Sequence, residues 1–195
     1  MDERKNGLPR LKSDLPDHMD VDYAGARGLM YGCGYTDEQL DMPHIGIINT
    51  WSDCNPGHFH LKKLEEAVTR GVEECGGLAF HFNGVSICDG IVKPAYILPS
   101  RDLLVNEIEL MVEANMMDAM VLIGTCDKVL PALLMAAGRL DIPAIIVTGG
   151  YMRTAKLDGE YVDYIDVGPS ITKVLNGEMS EEKYQKLLHL SLIHI

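Results

Sequence analysis

Residues 126–128 place a thiol, a carboxylate and an amine side by side, as Cys126, Asp127 and Lys128. They directly follow the apolar run AMVLI, residues 119–123, which is typical of a buried strand. In open α/β sheets, ligands bind outside the carboxyl ends of the strands. These three side chains are therefore candidates for binding or catalysis.

Two further cysteine–aspartate pairs follow apolar runs of the sequence. Asp53 and Cys54 follow the first run, and Cys88 and Asp89 lie a few residues after the second. Thiolates suit iron–sulfur clusters, copper(I) or zinc, whereas carboxylates suit magnesium or manganese. The sequence thus predicts two neighbouring metal centres or one mixed site. The competing interpretation is that each cysteine is a small buried apolar residue.

Lys128 has two interpretations. At the start of a buried helix it would lose hydration and its pKa would fall, so that the neutral amine could act as a base. The same amine could take up carbon dioxide and become a carbamate. The alternative is an ordinary lysine that pairs with Asp127 or with another carboxylate.

The remaining histidines and cysteines are weaker candidates. His58 and His60 could be metal ligands, although His60 opens a helix and a capping or solvent-facing role is favoured. His81 alternates with phenylalanines in a strand and is predicted to be a satisfied core residue. Cys33 and Cys75 are predicted to lie at helix ends, away from the carboxyl ends of the strands where the metal ligands are expected.

The apolar pattern around these residues alternates between strands and helices. Continuous apolar runs predict four strands, at residues 44–50, 78–83, 119–124 and 143–150. Helical periodicity predicts helices at residues 22–33, 60–75, 100–115 and 129–140, with two more near 169–176 and 180–189. This order predicts right-handed βαβ units and a three-layer α/β/α domain with a mostly parallel sheet.

Three details of these helices can be checked. The helix at 60–75 is amphipathic and is predicted to end at a pair of glycines, residues 76–77. Ser100 is predicted to cap the helix at 100–115. The helix at 129–140 is apolar on nearly all sides and is predicted to be buried.

The composition of the chain disfavours several classes of function. The chain has 195 residues and a formal net charge of −12, which does not favour nucleic acid or anionic membranes as partners. It has no signal-peptide pattern and no run of about 18 apolar residues, so we expect neither secretion nor a membrane span. Its five scattered cysteines fit cytoplasmic thiols or metal ligands.

Several motifs together resemble the dihydroxy-acid dehydratase / phosphogluconate dehydratase family. They are IGIINTW, NPGHFHLKKLEEAVTRGVEECGG, CDG, LPSRD and CDK followed by LLMAAGRLDIPAIIVTGG. The resemblance runs from about residue 10 to residue 189. It implies an iron–sulfur hydro-lyase that removes water from a 2,3-dihydroxy or sugar acid and gives a 2-keto acid.

The resemblance also assigns roles to residues. It implies that Cys126 is a ligand of an iron–sulfur cluster, either [2Fe–2S] or [4Fe–4S]. It implies that Asp89 and Asp127 bind Mg²⁺ and that Lys128 is carbamylated to complete the magnesium shell. The catalytic base of the family is a serine of a β-rich C-terminal domain that we expect to be missing here, and the family implies a homodimer.

The chain departs from the family pattern in three places. Residues 91–97 are shorter than the corresponding Gly- and Met-rich stretch, and Gly57 stands where many relatives have a cluster cysteine. Cys54 or Cys88 could take the place of that cysteine. The family's last cluster cysteine lies beyond a helix like that near 180–189, so we expect this chain to be a fragment, inactive as given.

These patterns predict three segments and one preferred function. Residues 1–20 form an arm, residues 21–189 form the metal-binding α/β domain, and residues 190–195 resemble a translated sequencing adapter, hence a non-native tail. The preferred function is dihydroxy-acid dehydratase of valine and isoleucine biosynthesis. The alternatives are a sugar-acid dehydratase and a non-catalytic α/β module that binds a small acid.

Overall fold

The computed structural model describes residues 21–152 and 154–190, with side chains from residue 25 onward. The predicted arm therefore lies outside the described residues, as does most of the predicted tail. The chain divides after Gly149 into two compact units. No helix within the described ranges is long and apolar enough to cross a membrane.

The described part of the first unit, residues 21–149, contains five α-helices and four strands. In chain order they are α1 (Val21–Gly32), α2 (Asp37–Leu40), β1 (His44–Asn49), α3 (Leu61–Glu74), β2 (Leu78–Asn83), α4 (Ile97–Ala114), β3 (Ala119–Gly124), α5 (Val129–Leu140) and β4 (Ala144–Thr148). A short 3₁₀ helix, Pro94–Tyr96, leads into α4. All four predicted strands and all four predicted helices of this unit are present.

The four strands form one parallel sheet in the order β2-β1-β3-β4. Side chains alternate between its faces, so Ile48 and Leu122 join a core with α4 and α5, while Ile47 and Ile123 join a core with α3. Helices therefore cover both faces, and the predicted three-layer α/β/α architecture is confirmed.

The predicted end of α3 is confirmed, whereas the predicted start of α4 is wrong. After α3, Gly76 has a φ of 80° and the Gly77 amide donates to Val72 O at 3.0 Å, which closes the helix. Ser100 does not cap α4, because α4 begins at Ile97 and the Ser100 hydroxyl donates to Ile97 O within its first turn. The preceding 3₁₀ helix starts this helix earlier than the sequence indicated.

Helix α5 has the predicted bounds, but it is not buried all round. Val129, Leu133 and Leu140 are buried against the sheet and α4, whereas Leu134 is 65% exposed. In this unit α5 therefore has one buried face and one exposed face, although its sequence is apolar on nearly all sides.

The second unit begins at Gly150 and contains a hairpin and two helices. Strands β5 (Ala155–Leu157) and β6 (Glu160–Val162) are antiparallel, and α6 (Tyr164–Leu175) and α7 (Glu181–Leu190) follow. The sequence predicted both helices but placed the start of α6 five residues late, at 169, where Pro169 lies inside the helix. It did not predict the hairpin.

Candidate metal edge at the strand ends

Lys128 lies between two carboxylates at the carboxyl edge of the sheet. Its Nζ donates to Asp127 Oδ2 at 2.6 Å and lies 3.0 Å from Asp89 Oδ2. Asp127 and Lys128 belong to the loop between β3 and α5, and Asp89 belongs to the loop after β2. The loops that follow β2 and β3, two strands separated by β1 in the sheet, therefore meet at one ammonium group. We call these three residues the charged cluster.

The pKa of Lys128 is raised, chiefly by its hydrogen bond to Asp127 and then by Asp89. The expectation that burial would lower this pKa is therefore wrong. The side chain keeps access to water, so desolvation is small beside the attraction of two carboxylates. The paired lysine, which was the alternative interpretation, is what the structure shows.

The metal itself stays a prediction at this point. Within residues 25–152 and 154–190, no three His, Cys, Asp or Glu side chains converge closely enough to hold an ion. The oxygens of Asp89 and Asp127 that contact Lys128 are no further apart than the sum of its two contact distances. One cation at ligand distances of about 2.0–2.6 Å joins oxygens up to about 5.2 Å apart, so a shared ion needs the ammonium to move and the two carboxylates to lie within that distance.

Cys126 lies on the other side of the same loop, in a more enclosed setting. Its Sγ donates to Asn55 Oδ1 at 3.9 Å. A Cβ atom added to Gly57 would lie only 3.2 Å from this sulfur. Burial, and then the neighbouring Cys88, raises the pKa of the Cys126 thiol to about 11. The thiol is therefore protonated at neutral pH unless a metal displaces the proton.

The backbone at Cys126 is strained. Its φ is 68°, in the left-handed region that residues with a Cβ atom rarely adopt. The loop between β3 and α5 turns sharply here, because α5 starts only three residues later, at Val129. The turn places the thiol beside Asn55 while Asp127 and Lys128 face Asp89. We call Cys126, Asn55 and Gly57 the thiol pocket.

Asn55 is the polar residue of the thiol pocket, and it is fully buried. Its Oδ1 accepts the Gly57 amide at 3.2 Å, whereas its Nδ2 has no hydrogen-bond partner. An unsatisfied buried donor is rare in proteins. The pocket is closely packed, since a Cβ atom at Gly57 would also lie 3.6 Å from Asn55 Oδ1 and 3.7 Å from Thr125 Cγ2.

His58 ties the loops of the thiol pocket together. It is fully buried, with Nδ1 at 2.7 Å from Thr50 O and Nε2 at 3.1 Å from Thr125 O. Both ring nitrogens are thus occupied by the protein, which argues against the metal-ligand role considered for His58. Burial lowers its pKa although both carbonyl oxygens act in the opposite direction.

The other histidines have structural contacts that the sequence did not indicate. His60 precedes α3 but makes no side-chain cap, and its Nε2 lies 3.0 Å from Gly149 O at the end of β4. His81 is exposed rather than buried, because β2 is an edge strand, and it pairs with Glu65 at 2.8 Å. The predictions of a capping or solvent-facing role for His60 and a core role for His81 are wrong.

The cysteines outside the thiol pocket are exposed or half-buried. Cys33 and Cys75 lie just after α1 and α3 as exposed thiols, at the helix ends where the sequence placed them. Cys54 is also exposed, and its amide donates to Ser52 Oγ. Cys88 is half-buried and close enough to Cys126 to influence its pKa.

Sequence reasoning missed Asn55 and the tethering role of His58. Both lie in the segment Asn55–Pro56–Gly57–His58, where the Asn-Pro pair signalled only a turn. A buried role for a polar residue in a loop has no periodic signal. The buried role of these residues follows from the pairing of β1 with β3, which places the ends of the two strands side by side.

The fold and the side chains at the strand ends indicate the class of protein. The protein is an α/β protein with an open parallel sheet that gathers polar and thiol side chains at its strand ends. Residues 42–192 match the family model described as dihydroxy-acid/6-phosphogluconate dehydratase, N-terminal. The chain belongs to this family.

Individual relatives agree with this assignment. The chain is 46% identical over 169 residues to a dihydroxy-acid dehydratase of Methanosarcina barkeri. It is 46% identical over 171 residues to one of Methanothermobacter thermautotrophicus, and 43% identical over 171 residues to one of Pyrococcus abyssi. These matches cover 85–86% of this chain but only 31% of each relative.

Proposed function

We propose that the complete protein containing this chain is a hydro-lyase that converts a 2,3-dihydroxy carboxylic acid into a 2-keto acid. The observation that carries the proposal is the charged cluster of Asp89, Asp127 and Lys128, in which Asp127 directly follows Cys126 in the sequence. The relatives named dihydroxy-acid dehydratase support a substrate of valine and isoleucine biosynthesis.

Under this proposal the two sides of the edge hold two different groups. Cys126, with Cys88 or Cys54, would hold an iron–sulfur cluster, either [2Fe–2S] or [4Fe–4S]. Asp89, Asp127 and Lys128 would hold Mg²⁺. When bound, these groups would supply Lewis acidity toward the departing hydroxyl and toward the carboxylate and 2-hydroxyl of the substrate. Cys88 is the stronger second candidate, since it is the one that influences the pKa of Cys126.

Lys128 would change its charge when the metal binds. Its neutral amine would form a bond from nitrogen to the carbon of carbon dioxide and release a proton, which leaves an anionic carbamate. The contacts to Asp89 and Asp127 favour the ammonium form before loading. Carbamylation would replace the cation of the charged cluster by a third anion, and such a cluster of oxygen ligands suits a hard divalent cation.

The catalytic base, the subunit contacts and the location of the enzyme also belong to this proposal. We assign no catalytic base to this chain, and expect that group in the remainder of the complete protein. We further propose a cytoplasmic homodimer. Exposed apolar side chains of the second unit, such as Ile165 at 76% and Leu175 at 81%, would suit contacts with further protein.

A sugar acid is the second candidate substrate. The family description includes 6-phosphogluconate dehydratase, and the shortened segment 91–97 begins two residues after Asp89. The names of relatives at 41–46% identity favour the branched-chain substrate. A non-catalytic small-acid binding module would bind such acids without turnover.

The test is a turnover assay of the complete gene product, loaded with iron, sulfide and Mg²⁺. We expect 2-keto acid from 2,3-dihydroxyisovalerate and little from gluconate. Asp127→Asn should weaken Mg²⁺ binding by about 100-fold and reduce turnover accordingly. The control Asp102→Asn removes an exposed carboxylate from α4 and should change neither. Preference for gluconate would support the sugar-acid reading, and binding without product would refute the enzyme.

A further inference from the structure

Strand β4 lies at one edge of the sheet, yet its sequence is typical of an interior strand. Its five residues, Ala144–Thr148, include no charged residue and no proline, and they pair with β3 in one continuous register without a bulge. Strands buried on both faces of a parallel sheet are near-continuous apolar runs, whereas edge strands are usually protected by charges, prolines or bulges. The sequence of β4 therefore fits a strand with a neighbour on each side.

The opposite edge of the same sheet is protected in the expected way. Strand β2 alternates apolar and polar residues, and the ring of His81 pairs with Glu65 of α3 at 2.8 Å. At the end of β2, Asn83 Nδ2 donates to Trp51 O at 3.0 Å. Charged and polar side chains along an edge discourage pairing with another strand. The two edges of one sheet therefore differ, and β4 is the edge that lacks such side chains.

The backbone of β4 has a row of hydrogen-bonding groups that point away from the sheet. The Pro143 carbonyl accepts a hydrogen bond from β3 at 3.0 Å, which fixes the alternation of the parallel pairing. By this alternation the amides of Ile145 and Val147 face β3, whereas those of Ile146 and Thr148 face the free edge. In the described part of the chain no other strand pairs with β4, since β5 and β6 pair with each other.

Apolar side chains are exposed beside this edge on both faces of the sheet. Ile145 is 64% exposed on the face covered by α3, a helix that packs mainly on β1, β2 and β3. On the other face, Leu134 of α5 is 65% exposed. Arg139 of α5 donates to Asn106 of α4, and Leu134 lies about 140° round the helix from Arg139. Leu134 therefore lies on the flank of α5 that points away from α4, toward the β4 side of the sheet.

The partner that best fits this edge is another part of the same polypeptide. The chain covers only 31% of each relative, so most of the complete protein lies outside it. A strand of the same polypeptide is held near the edge at high effective concentration. A second copy of the chain is disfavoured, because a formal net charge of −12 on each copy opposes their association.

We propose that β4 is an interior strand of the complete protein and that its free edge binds a fifth strand from the part outside this chain. The fifth strand is apolar on both faces. It accepts hydrogen bonds from the amides of Ile146 and Thr148, and it covers Ile145 and Leu134. This inference concerns the assembly of the sheet and does not depend on the proposed function.

The first experiment measures hydrogen exchange of individual amides of β4 in the complete gene product, without metal loading. The amides of Ile146 and Thr148 should exchange at least about 100-fold more slowly than unprotected amides, as amides bonded within a sheet do. Exchange near the unprotected rate would overturn the proposal. Protection that disappears when the protein is diluted to its monomer would also overturn it, because the partner would then be a second copy.

The second experiment repeats the measurement in variants of the complete protein. Ile145→Lys places a charge where the fifth strand packs, and it should speed exchange at Ile146 by at least about tenfold. The amide of Val147, which faces β3, should stay protected and shows that the sheet is intact. The matched control is Leu110→Lys on α4, where the leucine is 68% exposed. This control should leave exchange at Ile146 unchanged.

Two outcomes of these variants would contradict the fifth strand. Unchanged exchange at Ile146 in Ile145→Lys would mean that no apolar strand covers this side chain. Deletion of residues 1–20 from the complete protein should keep the protection of Ile146 and Thr148. Loss of the protection in that deletion variant would assign the cover to the N-terminal arm and overturn the proposal.

Discussion

The charged cluster and the thiol pocket share the loop between β3 and α5, yet different kinds of interaction hold them together. The charged cluster is partly open to water, with 71% of the Asp127 side chain exposed, and charge pairing holds it. The thiol pocket is enclosed, with Asn55 and the adjoining His58 fully buried, and neutral hydrogen bonds to backbone groups hold it.

The difference has consequences for stability. Exposed ion pairs contribute little to folding, about 0–1 kcal/mol, because water screens them and long side chains lose freedom. Buried hydrogen bonds contribute more when they break, since a donor or acceptor is left without water. We therefore expect substitutions in the charged cluster to affect metal binding, and substitutions near the thiol pocket to affect the fold as well.

The largest expected effect comes from Cys126→Ser. If Cys126 holds the iron–sulfur group, this variant of the complete protein should lose the visible absorbance of the cluster and all dehydratase turnover. Absorbance and turnover would be measured after identical loading with iron and sulfide. Cys75→Ser is the matched control, since Cys75 is an exposed thiol at the end of α3. Equal absorbance in both variants would remove Cys126 from the ligand set.

His58→Gln should have the next largest effect, and on folding. The neutral ring contacts both Thr50 O and Thr125 O and can donate its one N–H to either, whereas the flexible glutamine side chain cannot fill the same space, so we expect a loss of about 2–3 kcal/mol in unfolding free energy. Urea denaturation of the metal-free protein measures this loss. A change below about 0.5 kcal/mol would mean that the bridge is not important for the fold.

The same residue should make stability depend on pH. The pKa of His58 is lowered in the folded protein, so below the ordinary value of 6.5 the unfolded chain takes up a proton that the folded chain refuses. Stability should therefore fall as the pH drops from about 7 to about 5. The decrease should be smaller in His58→Gln, and an equal decrease in both proteins would assign it to other groups.

The smallest effect on folding is expected for Asp89→Asn in the charged cluster. Asp89 contacts Lys128 at 3.0 Å in a partly exposed position, so the unfolding free energy of the metal-free protein should change by less than about 1 kcal/mol. The same urea denaturation applies. A loss as large as that of His58→Gln would erase the distinction between the two regions.

The sheet could be predicted from the sequence because its strands are continuous apolar runs. The bounds of β2, β3 and α5 are those that the apolar pattern of the sequence predicts. The hairpin of β5 and β6 was missed although Asp158 and Gly159, with φ values of 52° and 89°, form the Asp-Gly turn that is a strong hairpin signal. Its strands have only three residues each, too few for a periodic pattern.

The meeting of Asp89, Asp127 and Lys128 was also predictable. Parallel strands end at one edge, so the loops that follow them lie on the same side of the sheet, although β1 separates β2 from β3. The raised pKa of Lys128 could not be predicted, because it depends on two contacts at 2.6 and 3.0 Å rather than on position in a helix. Asn55 was not predictable either, since its unpaired Nδ2 is a property of three-dimensional enclosure.

The left-handed backbone at position 126 favours one residue type for stability and another for activity. A residue with a Cβ atom at a φ of 68° costs about 1–2 kcal/mol that glycine would avoid. Variants selected only for heat resistance should therefore drift toward glycine at position 126, whereas variants selected for turnover should keep cysteine. A stabilisation programme guided by thermal screening alone would thus tend to discard the residue on which the proposed chemistry depends.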